Sequence, residues 1–248
     1  MDGYDGGTDI KVRARAQFST LTDVWPNNDT WSRHTHTEIS RRLHHHCKRI
    51  IPESGHSRLL NIGSHGNDYG IVANEHIHID LVADALVGVP LAAAADAELL
   101  PISSSSVDVA ICVGSVINYS SPPKVFSEIS RILKPLGYLL LEFEASDSFE
   151  FAFTSDFSMD VTLVETFYNG VADKIYVYSV EYVISALEAA GIAVEELDRF
   201  HRLSTLIYRF TGRERLSAAF ARFDRTFAKL PMIRNYSANI FLLAQKSG

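Results

Sequence analysis

Short apolar runs and amphipathic stretches alternate along the chain from residue 58 onward. Arg58-Leu59-Leu60-Asn61-Ile62 is an apolar run that breaks into the turn Gly63-Ser64-His65-Gly66. His76 to Asp80 forms a second short run ending in an acid, and Ser106 to Ser115 a third that ends at another small-residue turn. Val125 to Lys134 repeats its apolar positions with helical spacing, Pro135 and Gly137 stop it, and Tyr138 to Phe143 follows as a nearly all-apolar run. Continuous apolar runs separated by amphipathic helices predict strands buried on both faces. Asn67 to Glu75, with Gly70 inside it, is too short for a helix plus loop, which predicts an abbreviated first crossover.

Farther along, Val161–Tyr168 and Lys174–Tyr178 are β-rich runs joined across Asn169-Gly170, a hairpin pattern rich in aromatic residues. Val180–Ala190 reads as a helix closed by Gly191, Ala193–Leu203 as a strand, and Ala238–Gln245 as the last strand. Between those strands an extra helix is expected over about 213–229, with Phe220, Phe223 and Phe227 spaced as core contacts. At the other end, the acidic, Gly-rich start is expected to be disordered. Thr35-x-x-Glu38 has capping-box spacing, so a helix is expected to open there with Ile39, Leu43 and Ile50 on its buried side.

Composition narrows the classes. The chain has 248 residues, 46% of them hydrophobic, which suits one large core with additions. A formal charge of −7 and a pI near 5.8 disfavour a broad phosphate-binding surface, so a small-molecule substrate is expected rather than nucleic acid. Cys47 and Cys112 are too few and too scattered for a disulfide framework or a Cys-based zinc site. The histidines His34, His36, His44, His45 and His46 fan around a helix instead of sharing one face, so no metal is expected. The start has no signal-peptide pattern, and the Leu81–Leu100 run is interrupted by Asp84, Pro90 and Asp96. A cytoplasmic protein without a membrane span is the expectation, and a homodimer is compatible with it.

The order of these elements resembles the class I S-adenosylmethionine-dependent methyltransferases, in the branch whose first motif reads Leu-Asn-x-Gly. The resemblance covers about residues 58–145 and rests mainly on the Asp96–Pro101 segment leading into Ser106-Val107-Asp108, and on Arg131-Ile132-Leu133-Lys134-Pro135-x-Gly137. It implies a Rossmann-like α/β fold: a seven-stranded, mostly parallel sheet with helices on both faces, an N-terminal helical cap over residues 1–57, and a core over 58–248. Within that core it places the hairpin as a lid insertion at about 145–178. It further implies S-adenosylmethionine as cofactor and S-adenosylhomocysteine as product. By resemblance, the turn of Asn61, Gly63, Ser64, His65 and Gly66 takes the methionine part. Asp80 with Leu81 takes the ribose, Asp96 with Ala97 lies near the adenine, and Val113, Gly114 and Ser115 are further expected cofactor-binding positions. The chain departs from the family pattern at Asn61, where an acid is usual, and at His65, where a glycine is usual.

Methyl transfer depends chiefly on alignment, because the sulfonium carbon is already electrophilic, and needs a base only when the acceptor must lose a proton. Catalytic candidates are His34, His36, Tyr119 and Tyr168, with Asn118, Glu142, Glu144 and His201 as further orienters. No cysteine stands near Asn118, which argues against covalent cytosine chemistry. Two other readings compete: a non-catalytic or non-methylating relative of the same fold, and a nicotinamide-dependent oxidoreductase. The second lacks a G-x-G-x-x-G fingerprint and a Tyr-x-x-x-Lys pair.

Overall fold

The structure is a computed structural model that describes residues 6–21, 23–26, 29–51, 56–168, 171–211, 214–221, 223–224 and 235–248. Its strands are β1 (Arg58–Ile62), β2 (Glu75–Asp80), β3 (Ala92–Ala94), β4 (Val107–Cys112), β5 (Leu133–Glu144), β6 (Val161–Tyr168), β7 (Val171–Tyr178), β8 (Ile192–Phe200) and β9 (Asn239–Lys246). Its helices are α1 (Gly6–Phe18), α2 (Thr30–Ile50), α3 (Pro122–Ile132), α4 (Val180–Ala189), α5 (Leu203–Thr211) and α6 (Glu214–Ala221).

Seven strands form one sheet in the order β3-β2-β1-β4-β5-β9-β8, and β6-β7 form a separate hairpin. The pairs from β3 to β5 are parallel, while β9 runs antiparallel to both β5 and β8. This is the Rossmann-like fold expected, with the hairpin as an insertion. Alternation along the strands sends side chains to two cores. Leu60, Ile62, Leu139, Leu141 and Phe143 pack with Phe126, Ile129 and Val183 of α3 and α4. Leu59, Ile111, Leu140, Phe241 and Leu243 pack with Ile39, Leu43 and Cys47 of α2 on the opposite face.

The chain moves from β1 outward to β2 and β3, then returns to place β4 on the other side of β1. Open α/β sheets bind ligands in the crevice at the carboxyl ends of the strands where the order reverses. That crevice lies here between the ends of β1 and β4. The first crossover is short as expected: residues 63–74 contain turns but no helix. Asn67 Oδ1 accepts from Tyr69 N (2.8 Å), Asp68 Oδ1 accepts from Gly70 N (2.8 Å), and Asn61 Nδ2 donates to Asn67 O (2.8 Å). Asx turns thus take the place of a helix.

Four expectations need correction. Of the acidic start expected to be disordered, residues 1–5 lie outside the described residues and residues 6–9 open a helix that runs to Phe18, held where Ile10 and Ala14 are buried and Lys11 meets Asp96 and Glu98. Helix α2 opens at Thr30, not Thr35: Asp29 caps it, accepting from Trp31 N (2.8 Å) and Ser32 N (3.3 Å). Thr35 then bonds back to Trp31 O (3.1 Å) as a mid-helix threonine, and Glu38 pairs with Arg42 (2.6 Å). Strand β8 ends at Phe200, and α5 begins at Leu203, where the strand pattern had been carried on. Of the helix expected at 213–229, Glu214–Ala221 is seen, while residue 213 and most of 222–229, Phe227 among them, lie outside the described residues. Phe220 and Phe223 are 38% and 40% exposed, so they are not core contacts.

Candidate functional site

Turn geometry after β1 is fixed by its neighbours. Gly63 adopts φ +68°, and Gly63 N and Ser64 N both donate to Ile79 O at 2.8 and 3.2 Å. Buried Asp80 holds the rest: its Oδ2 accepts from His65 N and its Oδ1 from Val82 N, each at 2.8 Å. His65 takes φ +44° and sends its ring Nε2 to Leu21 O at 3.2 Å. A side chain at that position therefore ties the turn to the N-terminal segment. Gly66 cannot carry a Cβ, which would lie 2.7 Å from Ala85 O.

After β4, Gly114 (φ +83°) and Ser115 (φ +60°) make a second tight turn. Their amides donate to Glu142 Oε2 at 2.8 and 3.0 Å, and Asn239 Nδ2 donates to Glu142 Oε1 at 2.7 Å. Glu142 is fully buried, and burial raises its pKa although these bonds favour the ionised form. Ser115 Oγ donates to Glu144 Oε1 at 2.9 Å. Burial and the neighbouring Glu142 push Glu144 up to about 8, and burial pushes Glu150 up to about 7 against the opposing pull of Arg209.

These turns line a cavity of about 270 Å³. Among the expected cofactor positions, Gly63, Ser64, His65, Asp80, Leu81, Asp96, Ala97, Val113, Gly114 and Ser115 line it. Asn61 and Gly66 support the turn from behind. Asn61 is 1% exposed, and its Oδ1 has no hydrogen-bond partner among the described residues. The Trp25 indole Nε1 is likewise buried and without a partner, although the Trp25 ring is part of the wall. Asp96 sits at one end, its Oδ2 2.8 Å from Lys11 Nζ and its Oδ1 accepting from Glu98 N.

The expected catalytic residues separate. Tyr119 lines the cavity and donates its hydroxyl proton to Asp173 Oδ2 at 2.7 Å. His34 lies off the cavity wall, edge-on to the buried His201 ring at 5.2 Å. His36 is also outside the wall, packed between Trp25 and Tyr69, and burial lowers its pKa. The side chain of Tyr168 lies outside the described residues. Asn118 is consumed structurally: it donates to Glu144 O and Tyr176 O and accepts from Glu144 N. His201 is wholly buried, bonded to Thr35 Oγ1 (2.8 Å) and stacked on Trp31 at 4.0 Å, and its pKa falls well below the usual value.

Sequence reading missed Lys11, Glu150, Thr166, Tyr208 and Asn239, all in the cavity wall. Tyr208 belongs to α5, most of which falls in the stretch between the expected strand and helix to which the sequence assigned no element. Asn239 is visible only through the register of β9, which sets it directly opposite Glu144. Among the described residues no cluster of His, Cys, Asp and Glu can hold a metal ion, and no helix is long and apolar enough to cross a membrane. Both cysteines are buried and unpaired, and burial raises their pKa values.

Residues 69–141 match the family described as methyltransferase domain. Solved structures share the fold at low identity. The Burkholderia thailandensis 1,6-didemethyltoxoflavin-N1-methyltransferase, solved with 1,6-didemethyltoxoflavin and S-adenosylhomocysteine, has a TM-score of 0.58 and 12% identity, covering 100% of this chain and 92% of its own. A Thermotoga maritima SAM-dependent methyltransferase, described as a possible histamine N-methyltransferase, has a TM-score of 0.57 and 17% identity over 97% and 100% of the two chains. The 4+2 cyclase SpnF has a TM-score of 0.52 and 17% identity over 84% and 80%. No curated protein sequence matches this chain. The class defined by fold and crevice is thus the Rossmann-like methyltransferase fold, and residues 69–141 carry its sequence signature.

Proposed function

We propose that this protein is an S-adenosylmethionine-dependent methyltransferase acting on a small-molecule acceptor. One observation carries the reading: Asp80, buried at the end of β2, forms the cavity wall beside the Gly63-Ser64 turn at the sheet's reversal point. A carboxylate there accepts from the two hydroxyls of a ribose. One orphaned buried atom fits the remainder of the cofactor. Trp25 Nε1, in the cavity wall, is a donor that fits the cofactor's carboxylate, while Asn61 Oδ1 lies behind the turn.

When bound, S-adenosylmethionine supplies an electrophilic methyl carbon. The chain's part is to align the acceptor and exclude water. Ser115, Val116 and Tyr119 follow β4, Glu144 ends β5, and Thr166 and Ile175 come from the hairpin, so insertion and core together wall the far end. Small-molecule acceptors are favoured by the size of the cavity, about 270 Å³, and by the net charge of −7, which repels nucleic acid. Parallel calorimetric titrations with S-adenosylmethionine, S-adenosylhomocysteine and NAD test the reading. Micromolar binding of the sulfur pair alone is expected. Binding of NAD alone, or of none of the three, contradicts it.

A further inference from the structure

At the far end of the cavity two acceptor atoms, Asn239 Oδ1 and one Glu144 oxygen, meet no donor among the described residues. Asn239 is only 5% exposed and lines the cavity. Its Nδ2 is committed to Glu142, which leaves Oδ1 directed away from that bond and with no donor among the described residues. Directly opposite in the β5-β9 ladder stands Glu144, and facing residues in such a ladder hold their Cβ atoms about 5 Å apart on one face. Glu144 Oε1 accepts from Ser115, while Oε2 meets no donor among the described residues. Glu150 adds a further carboxylate to the wall, and Asp173 stands behind Tyr119. Among the described residues no Lys or Arg nitrogen lies within 4.0 Å of Glu142, Glu144, Glu150 or Asp173.

Each ligand class meets this end differently. A carboxylate or phosphate would meet Glu144 and Glu150, neither of them ion-paired to a Lys or Arg among the described residues, with Arg209 acting only from a distance. A hydroxyl can donate once, to one of two waiting acceptors. An ammonium carries three N–H donors and the missing positive charge. We propose that this end binds a small primary amine as its ammonium, held by Asn239 Oδ1 and Glu144, and that Glu144 is the catalytic base that takes its proton. This rests on the methyltransferase reading above.

The step balances. Glu144 carboxylate receives a proton from the ammonium and becomes a carboxylic acid, and the nitrogen gains a lone pair. That lone pair forms the N–C bond to the sulfonium methyl as the C–S bond breaks, the bonding pair remaining on sulfur. The product departs as an N-methylammonium, and Glu144 returns its proton to water. Surroundings favour this course: Glu142 on the same strand, Glu150, and Asp173 of β7 all disfavour charge on Glu144. Tyr119 faces Asp173, Arg209 of α5 acts on Glu150, and Arg42 of α2 acts on Glu142 from behind. The proton therefore ends on a group whose environment prefers the neutral acid.

The test is an assay of S-adenosylhomocysteine release with the full chain. Acceptors are a panel of primary amines from ethanolamine to tryptamine, each beside its alcohol and carboxylate counterpart. Turnover is expected with amines alone. Glu144→Gln should lower kcat by about 100-fold or more, flatten the rise of kcat/KM toward pH 8, and keep S-adenosylhomocysteine affinity within about threefold, which shows that the variant is folded. Asn239→Leu should raise the amine KM more than it lowers kcat. Turnover of alcohols or carboxylates without amines, no amine turnover by a protein that binds S-adenosylhomocysteine, or an unchanged Glu144→Gln rate each overturns the proposal. A wild type that does not bind S-adenosylhomocysteine overturns the methyltransferase reading itself.

Discussion

Gly63 shows how much one position constrains. Its φ of +68° costs a residue with a Cβ about 1–2 kcal/mol, and that Cβ would also overlap Val116 Cγ2. Gly63→Ala is therefore expected to lower stability by more than the backbone cost alone, measured by urea unfolding. Val116→Ala in the same chain should recover the excess and leave the backbone part, a coupling that a double-mutant cycle reads directly. The glycine and the acid Asp80 were legible in the sequence because a strand end, a turn and a strand-ending acid leave a local pattern. Asn239 and Glu150 were not, since nothing local marks them: one reaches the cavity through β9 register, the other through the short helical turn at 149–151.

At the scale of elements, α2 is anchored to the sheet by one buried cation. Arg42 is 5% exposed, donates to Glu38 Oε2 (2.6 Å) and Asp198 Oδ2 (2.7 Å), and lies 4.4 Å over the Phe200 ring. Arg42→Ala takes from the buried Glu38 its shortest cation contact, the Arg41 pair at 3.1 Å being more exposed. A loss of about 3 kcal/mol is expected in denaturant unfolding, at the low end for a broken buried pair because Asp198 is half exposed. Arg42→Lys should not restore it, since an ammonium cannot fork to both carboxylates. The helix itself was legible from its apolar spacing, but its start was not. Thr35 and Glu38 imitate a capping box, and Asp29 does the capping from outside the apolar stripe. Strands β4 and β5 were legible because burial on both faces makes their runs continuous, whereas α5 was hidden behind β8, whose polar, exposed sequence gave no clear end.

The whole molecule carries two opposed sets of buried groups. His36, His46, His76, His78 and His201 have pKa values lowered by burial, His78 to about 4. Below about 6.5 the unfolded chain binds more protons at these sites, so their contribution to stability rises with pH between about 4 and 6.5. Glu144 and Glu150, raised to about 8 and about 7, act in reverse: the folded chain holds their protons longer, and stability falls as pH climbs from about 4.5 to 8. Above 6.5 the carboxyls act alone. Thermal melts should therefore show Tm declining from pH 6.5 to 8, and Glu144→Gln with Glu150→Gln should raise Tm at pH 8 on the order of a few degrees. A wild-type Tm that climbs over that interval contradicts the assignment.

The strand order places Asp80, Gly63 and Ser115 around one crevice, and the functional account rests on a cofactor ribose meeting Asp80 there. Calorimetric titration of wild type and Asp80→Ala with S-adenosylhomocysteine tests this most directly. Micromolar affinity in the wild type and a loss of about 100-fold in a folded Asp80→Ala are predicted, the share of a charge-assisted hydrogen-bond pair. Equal affinity in the two proteins, or no binding to the wild type, would contradict it.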